Sequence, residues 1–371
     1  MRTIAIVSNI GWTVFNFRKG IIKYFLARNY KVIVFTKFDD YIPQLKELGC
    51  ECYDLKRMDF KGMNPLNDVF LTFEFYRLFK THKVDAALFY TPKVNIFGSI
   101  AARYSKTKYI PTINGLGTIF NPNQNKLIQK VVIWLYQFAL KKASKVIFQN
   151  LDDRDFFVEK NIISNTSNTI VVKGSGVNLN DFYQKKYDYK NSHLVFAFAA
   201  RLLKEKGIFE FIEAARIVKK SFPTIECAII GSSNFFPGNI DEEKISLAEK
   251  EGIITFWGGT DNMSGTLDKV DVLILPSYYR EGVPRILIEG LSKGLPLITT
   301  HNVGCKETVD HGINGYLIET KNSLQLAEAM TKMIQLSVEE RIQMGHASRR
   351  KAENECAEDI IFQEYENIVI N

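Results

Sequence analysis

The chain has 371 residues, of which 46% are hydrophobic and 24% are charged. These values lie close to the average of globular proteins, so they exclude an intrinsically disordered chain and a membrane protein with many spans. The length exceeds what one hydrophobic core usually organises, and we expect two domains of ordinary size.

The net charge of +7 conceals two halves of opposite sign. Residues 1–180 contain 26 Lys and Arg against 13 Asp and Glu, a balance of +13, whereas residues 181–371 contain 22 against 28, a balance of −6. A basic half suits nucleic acid, an anionic membrane surface or a phosphorylated substrate, and charge kept for solubility is an equally open interpretation. Nucleic acid is disfavoured, because the basic residues occur singly or in pairs without a zinc-finger or RNP-like motif.

The five cysteines are odd in number and mostly far apart, which argues against a disulfide framework and a structural zinc site. The first residues resemble a short strand and lack the apolar segment of a signal peptide. No run reaches the ~18 consecutive apolar residues of a membrane-spanning helix. We therefore expect a cytoplasmic protein.

Short apolar runs alternate with helix-length segments in the first half of the chain. The strand-like runs are 3–8, 31–36, 85–90, 109–113 and 145–149. This rhythm predicts a parallel sheet with helices on both faces. The polar stretch that extends to residue 192 predicts a domain boundary, so residues 1–180 form the first domain.

One segment of the first half has a second interpretation. Residues 131–140 are apolar except for Gln137, include Trp134, and precede Lys141, Lys142 and Lys145. This pattern is typical of a helix at a membrane interface, and core packing with a solvated end explains it equally well.

A second series of strand-like runs covers 194–199, 226–230, 253–257, 271–275, 295–299 and 315–318. The predicted fold is therefore α/β, with two Rossmann-like domains whose parallel sheets face a central cleft. Residues 181–355 form the second domain, and a final helix, 356–371, is expected to pack back across the junction. Ligands of such sheets bind beyond the carboxyl ends of the strands.

The most informative segment, residues 276–290, follows a predicted buried strand and reads PSYYREGVPRILIEG. Pro284 stands at the expected first position of a helix that Gly294 and Pro296 end. The loop then presents backbone N–H groups and a positive helix end, which suit a phosphate or sugar hydroxyls. Glu281 in the loop and Glu289 on the helix can accept hydrogen bonds from vicinal hydroxyls, although each is also compatible with a solvated surface charge.

Two cations follow the first strand of the second domain. Arg201 and Lys206 stand between the strand-like run 194–199 and the helical pattern 208–219. Cations at a helix entry can neutralise a diphosphate, and a solvated basic loop is the alternative.

In the first domain, Gly11 follows the first strand, where a glycine allows a backbone to approach a ligand closely or simply forms a tight turn. The segment lacks the Gly-x-x-Gly continuation of a dinucleotide fingerprint, so a nicotinamide dehydrogenase is disfavoured.

Taken together, these segments resemble the GT-B glycosyltransferases, specifically the retaining family 4. The resemblance covers nearly the whole chain and is closest to bacterial enzymes that extend lipid-linked sugars for O-antigen, capsule or N-glycan assembly. It rests on Arg201 with Lys206 and on the segments 93–98, 114–117, 146–150, 174–177, 281–289, 294–300, 304–307 and 310–315.

The resemblance implies a role for each matching residue in the second domain. Arg201 and Lys206 would hold the donor diphosphate, Glu289 the nucleotide ribose and Glu281 the donor sugar. The nucleotide base would pack near residues 257–260, a segment that begins with Trp257. The residues expected to line the site through their backbone are Gly282, Val283 and Pro284.

The resemblance also implies that Gly11 lies near the phosphates and the acceptor, and that no divalent metal or other cofactor is needed. Many family members place a histidine after the fourth strand, whereas this chain has Asn114 there. No general base can therefore be assigned, and Asn114 is either part of the sugar region or a polar loop residue that caps Gly115.

The predicted activity is transfer of a hexose or N-acetylhexosamine from a nucleotide sugar, with UDP as the expected nucleotide, to a saccharide on a polyprenyl diphosphate. The anomeric configuration would be retained, and the enzyme would associate peripherally with the anionic inner face of the cell membrane. Two alternatives stay open: a nucleotide-sugar epimerase or hydrolase of the same fold, and a non-catalytic nucleotide-sugar-binding protein.

Overall fold

The computed structural model describes residues 2–59, 64–117, 119–120, 125–187, 193–232 and 241–370. The chain divides into two compact units, one of Met1–Ser175 with Glu358–Asn371 and one of Gly176–Ala357. The first crossing between the units thus lies between Ser175 and Gly176 rather than after residue 180. The second lies between Ala357 and Glu358.

The first unit contains a seven-stranded sheet of order β3-β2-β1-β4-β5-β6-β7, in which every neighbouring pair is parallel. Its strands are β1 (Thr3–Ile10), β2 (Lys31–Lys37), β3 (Glu51–Asp54), β4 (Ala86–Phe89), β5 (Lys108–Ile113), β6 (Val146–Phe148) and β7 (Thr169–Val171). Its helices are α1 (Gly11–Ala27), α2 (Ile42–Glu47), α3 (Pro65–Thr81), α4 (Ser99–Ser105), α5 (Lys126–Leu140) and α6 (Leu151–Glu159). A π-helical turn, Val94–Gly98, precedes α4.

The second unit contains a six-stranded parallel sheet of order β10-β9-β8-β11-β12-β13. Its strands are β8 (Val195–Ala199), β9 (Glu226–Ile230), β10 (Thr255–Gly258), β11 (Val272–Leu275), β12 (Leu297–Thr300) and β13 (Gly315–Ile318). Its helices are α7 (Ile208–Lys219), α8 (Glu242–Lys250), α9 (Met263–Leu267), α10 (Arg285–Lys293), α11 (Ser323–Gln335) and α12 (Val338–Lys351). Short 3-10 turns, Lys204–Lys206 and Lys306–Thr308, follow β8 and β12, and a π-helical turn, Ala352–Cys356, extends α12.

The central strands are buried on both faces, which explains why they appear in the sequence as continuous apolar runs. In β1, Ala5 and Val7 face the cluster that α3, α4 and α5 complete, whereas Ile4 and Ile6 face the helices of the opposite layer. The α/β class and the two parallel Rossmann-like sheets predicted from this rhythm are confirmed.

The last helix, α13 (Glu358–Ile370), belongs to the first unit. Its Tyr365 hydroxyl lies 3.0 Å from the Thr112 hydroxyl of β5, and Tyr24 of α1 donates to Glu366 at 2.8 Å. The final helix predicted for residues 356–371 begins at Glu358, because Ala357 has an extended backbone with a ψ of 136°.

Two strands escaped prediction. Both β3 and β7 are edge strands of three or four residues with no fully buried position, so they lack the apolar run that identifies a central strand. Among the described residues, no helix has both the length and the apolar character needed to cross a membrane.

Candidate active site

The predicted donor residues of the second unit come together where β8 and β11 end. These two strands are neighbours in the sheet, so the loops that leave their carboxyl ends lie side by side. Lys206 ends the 3-10 turn after β8, and Glu281 lies in the loop after β11.

Lys206 and Glu281 form a direct ion pair. The Lys206 ammonium lies 2.6 Å from Glu281 Oε2, and the two side chains are only 7% and 15% exposed. Glu281 Oε1 accepts a second hydrogen bond from the Ser277 hydroxyl at 3.1 Å. A charge that is buried to this degree needs a partner of opposite sign, so the pair holds both groups in a defined orientation.

Tyr279 connects Arg201 with this pair. Burial raises the pKa of the Tyr279 hydroxyl, the Arg201 guanidinium lowers it, and the Glu281 carboxylate raises it. The Lys206 ammonium lies 5.6 Å from the centre of the Tyr279 ring. Arg201 itself is exposed two residues after the end of β8, and its charge acts on the same tyrosine hydroxyl.

Backbone contacts hold the two loops together. The Glu205 carbonyl oxygen accepts hydrogen bonds from the backbone N–H groups of Tyr278 and Tyr279 at 2.9 and 3.1 Å. Gly207 follows with a φ of +81°, and a Cβ at this position would lie 2.2 Å from the Pro276 carbonyl oxygen. Only glycine therefore allows the loop after β8 to approach the end of β11 this closely.

A third loop closes against the glycine that follows Glu281. Gly304 has a φ of +82°, and a Cβ there would lie 1.5 Å from the Gly282 carbonyl oxygen. Cys305 beside it is buried, and burial raises the pKa of its thiol to about 12. The loop after β12 thus packs closely against the Glu281–Gly282 backbone.

The helix that carries Glu289 begins one residue later than predicted. Pro284 has a φ of −61° but an extended ψ of 121°, so it precedes the helix, and Arg285 is the first helical residue. Gly294 ends the helix in the left-handed conformation, as predicted. Val283 is buried, and the first-turn N–H groups of α10 follow it directly.

Arg285 is a site residue that the sequence interpretation missed. Its Nε donates to Glu289 Oε1 at 2.9 Å, and its guanidinium also donates to the Gly176 carbonyl oxygen at 3.1 Å. Burial raises the pKa of Glu289, while the charge of Arg285 lowers it. The signal was present, since Arg and Glu at positions i and i+4 face each other on a helix.

Trp257 points away from this site. Its indole N–H donates to Glu226 Oε1 at 3.0 Å, and Glu226 begins β9 at the amino end of the sheet. The indole ring is therefore engaged by β9, and the expected position of the nucleotide base near residues 257–260 stays a prediction. Gly258 and Gly259 of the same segment follow at the carboxyl end of β10, where a Cβ at Gly259 would lie 3.4 Å from Ser232 Cβ.

In the first unit, Gly11 begins α1 and makes room for a carboxylate. The Trp12 N–H donates to Asp39 Oδ2 at 2.6 Å, and a Cβ at Gly11 would lie 2.3 Å from Asp39 Oδ1. Asp39 thus satisfies part of the positive end of α1. This contact is a local reason for glycine that the sequence interpretation did not include.

Asn114 bridges three strand ends of the first unit. Its Nδ2 donates to the Tyr90 carbonyl oxygen after β4 at 2.6 Å, and its Oδ1 accepts from Gln149 Nε2 after β6 at 3.1 Å. An amide in this arrangement has no basic nitrogen to take a proton. The geometry explains Asn114 as a positioned polar group at the sheet edge.

The comparisons with known proteins identify the family. Residues 3–150 match the family model described as glycosyl transferase 4-like, and residues 180–351 match the model of glycosyl transferases group 1. The chain is a glycosyltransferase. The resemblance inferred from the motifs is thereby confirmed.

Two bacterial relatives act on lipid-linked sugars. One from Campylobacter jejuni, an N,N'-diacetylbacillosaminyl-diphospho-undecaprenol alpha-1,3-N-acetylgalactosaminyltransferase, is 26% identical over 98% of this glycosyltransferase and 96% of its own length. One from Escherichia coli, a UDP-Gal:alpha-D-GlcNAc-diphosphoundecaprenol alpha-1,3-galactosyltransferase, is 23% identical over 74% of this chain and 72% of its own.

The fold also agrees with a solved structure. An Anabaena protein crystallised with UDP and glucose superposes with a TM-score of 0.81 at 17% identity, covering 100% of both chains. At this level of identity the likeness establishes the GT-B fold of the glycosyltransferase.

Proposed function

We propose that this glycosyltransferase transfers a hexose or N-acetylhexosamine from a UDP sugar to a saccharide carried on a polyprenyl diphosphate. The observation that carries the proposal is the buried Lys206–Glu281 pair. It places a cation and a carboxylate that can accept hydrogen bonds from sugar hydroxyls at the carboxyl edge of the second sheet. The printed activities of the Campylobacter and Escherichia relatives, both transfers to a diphospho-undecaprenol saccharide, supply the substrate class.

The cations bind the leaving group in this proposal. Lys206 and Arg201 stabilise the negative charge that develops on the diphosphate as the bond from the anomeric carbon to the β-phosphate oxygen breaks. Two cations and the N-terminus of α10 supply the charge neutralisation, so the proposed reaction requires no divalent metal. Glu281 accepts hydrogen bonds from the donor sugar, and Glu289 accepts them from the ribose.

The leaving diphosphate itself receives the proton. The acceptor hydroxyl attacks the anomeric carbon from the face that the diphosphate leaves, and its proton passes to the departing phosphate oxygen. The configuration is then retained without an enzymic nucleophile. This route suits the chain, because Asn114 at the family's histidine position cannot act as a base.

The acceptor places the enzyme at a membrane. A polyprenyl chain remains in the bilayer, so the reacting diphosphate is presented at an anionic surface. The first unit contains 26 Lys and Arg against 17 Asp and Glu, a net charge of +9, which suits it to that surface. We therefore include peripheral association with the cytoplasmic face of the cell membrane in the proposal.

A two-part experiment tests the proposal. Thermal unfolding is measured with UDP, GDP and dTDP sugars, and a UDP sugar should raise the melting temperature most, because only the folded chain binds it. The stabilising donor is then incubated with and without a short-chain polyprenyl-diphosphate saccharide. Product formed only with acceptor supports transfer, whereas rapid turnover of donor alone indicates an epimerase or hydrolase, and no shift with any donor contradicts the donor site.

A further inference from the structure

Helix α3 exposes a row of large apolar side chains. Leu66, Val69, Phe70 and Phe73 are exposed, and Phe73 reaches 63% exposure. Their spacing of i, i+3, i+4 and i+7 places them on one side of the helix. The opposite side, which carries Phe75 among others, is buried in the core. The outer side of α3 therefore presents a row of apolar side chains although it is exposed to solvent.

Helix α5 repeats this arrangement. Leu127, Val131 and Trp134 are exposed at i, i+4 and i+7, and Trp134 is 61% exposed. Lys126 and Lys130 lie next to them and are also exposed. The outer side of α5 therefore combines an apolar row with a basic row.

Helix α4 lies between these two helices. It packs against both α3 and α5, and all three contribute to one hydrophobic cluster on the same face of the first sheet. Tyr104 of α4 is exposed, and the guanidinium of Arg103 lies 5.2 Å from the centre of the Phe138 ring, which in turn stacks on Trp134. The outer sides of α3, α4 and α5 therefore belong to one side of the unit, which we call the α3–α5 surface.

The charge of this surface is mainly positive. Helices α3, α4 and α5 with Lys141 and Lys142 contain seven Lys and Arg and two acidic residues. Both acidic residues have other contacts: Asp68 pairs with Lys93 at 2.9 Å, and Glu74 accepts the backbone N–H groups of residues 56 and 57. The basic side chains border the apolar rows and have no acidic row opposite them among the described residues of these helices.

We propose that the α3–α5 surface docks on an anionic lipid bilayer. Aromatic and aliphatic side chains enter the boundary between headgroups and acyl chains, while the bordering lysines and arginines contact anionic headgroups. A second copy of the chain is disfavoured as the occupant, because it would bring together two surfaces that each carry seven basic against two acidic residues, a balance of +5. The inference rests on the proposed membrane location and adds the surface that makes the contact.

Vesicle co-sedimentation of the full chain tests this surface. The wild type should bind vesicles of phosphatidylcholine mixed with phosphatidylglycerol more strongly than vesicles of phosphatidylcholine alone. The double variant Phe73→Ser with Trp134→Ser should lower partitioning onto the mixed vesicles at least about tenfold, because it removes apolar area that the bilayer would bury. The double variant Lys126→Glu with Lys130→Glu should lower partitioning onto the mixed vesicles by at least about fivefold for each replaced lysine. Its partitioning onto vesicles of phosphatidylcholine alone should change little.

Matched variants in the second unit serve as controls. Leu247→Ser with Leu324→Ser removes two exposed apolar side chains, and Lys220→Glu with Lys250→Glu reverses two exposed charges. Both should partition like the wild type. Every variant should keep the UDP-dependent rise in melting temperature, which shows that the donor site is intact.

The outcomes separate this inference from the proposed location. If the wild type binds the mixed vesicles and the α3–α5 variants bind equally well, the surface is wrong although the location stands. If the wild type binds neither vesicle, the docking and the location both fail, whereas the donor site is judged by the UDP shift alone. A concentration-dependent dimer that the Phe73→Ser and Trp134→Ser variant abolishes would identify a second copy as the occupant and overturn the proposal.

Discussion

Arg285 donates through Nε to Glu289 Oε1 at 2.9 Å and through a terminal guanidinium nitrogen to the carbonyl oxygen of Gly176 at 3.1 Å. Arg285 therefore holds two groups at once: the Glu289 carboxylate, which is proposed to bind ribose, and the backbone of Gly176, the first residue of the second unit. Burial raises the pKa of Glu289 above its ordinary value of 4.5, and Arg285 is the charge that opposes this rise. We assign Arg285 as a positioning residue that keeps Glu289 ionised.

The first prediction concerns the pH dependence of UDP binding. The ribose hydroxyls donate to an ionised Glu289, so affinity should be lost as the pH falls through the raised pKa of that carboxylate. Arg285→Met removes the opposing charge, raises this pKa further and should move the loss of affinity to higher pH. Arg285→Lys restores a charge without the second contact and should recover part of the shift. Calorimetric titration with UDP across pH measures the midpoint.

Glu289→Gln is the control for this prediction. It removes the titrating group, so its remaining pH dependence belongs to the phosphate of UDP itself. If Arg285→Met follows the wild-type midpoint after this correction, Arg285 does not act through Glu289. If Glu289→Gln binds UDP like the wild type at every pH, the ribose role of Glu289 is wrong and the positioning role is lost with it.

The second prediction concerns the Lys206–Glu281 pair. Replacing one member leaves the other charge buried without its partner, which costs about 3–5 kcal/mol in comparable cases. Lys206→Met and Glu281→Gln should each lower the melting temperature, and the double variant should lose less stability than the two single losses added. A double-mutant cycle by denaturant unfolding measures this coupling.

Transfer activity should respond differently from stability. Each single variant and the double variant should lose about 100-fold or more in kcat. Without Lys206 the leaving diphosphate loses a stabilising cation, and without Glu281 the donor sugar loses a carboxylate that accepts its hydrogen bonds. Recovery of stability in the double variant without recovery of kcat would separate the two roles. Wild-type activity in Lys206→Met would contradict the assignment of the diphosphate site.

The third prediction follows from the orientation of Trp257. Trp257→Phe removes the hydrogen bond to Glu226, and we expect a loss of about 1 kcal/mol in the free energy of unfolding. UDP affinity should not change, since the indole is engaged by Glu226 at the start of β9. A tenfold weaker UDP affinity, measured by calorimetry, would show that the base contacts the Trp257 indole itself.

The sequence predicted the architecture because buried parallel strands appear as apolar runs that need no tertiary information. The run 226–230 coincides with β9, and the helical pattern 208–219 coincides with α7. The edge strand β3 was missed because none of its four residues is fully buried, and Pro284 was placed one residue too far into the helix. These errors arise where local pattern is weak or where two neighbouring positions suit the same residue.

The motifs predicted which residues of the second unit meet, but pairwise contacts depend on side-chain direction. Lys206 and Glu281 stand 75 positions apart in the chain, and only the neighbourhood of β8 and β11 brings them together. The direction of the Trp257 side chain is such a case, since its indole bonds to Glu226 at the start of the neighbouring β9. For Gly11 the sequence left ligand approach and a tight turn open, and the contact with Asp39 after β2 adds a local reason for glycine.

The last prediction concerns Gly304, which supports the Glu281 loop. An alanine there would place its Cβ 1.5 Å from the Gly282 carbonyl oxygen, so the loop that carries Glu281 must move. Gly312 is a matched control: its φ of +79° resembles the +82° of Gly304, but a Cβ there meets nothing within 4 Å. Gly312→Ala should therefore show only the cost of a left-handed backbone, about 1 kcal/mol.

Gly304→Ala should show the same cost and, in addition, weaker binding of the donor. The backbone from Gly282 onward would shift, so the melting temperature should fall further than in Gly312→Ala and the UDP-sugar affinity should drop at least about tenfold, as misplaced site groups typically cause. Differential scanning calorimetry and donor titration measure the two effects. Equal behaviour of the two alanine variants in both measurements would show that the loop after β12 does not position Glu281.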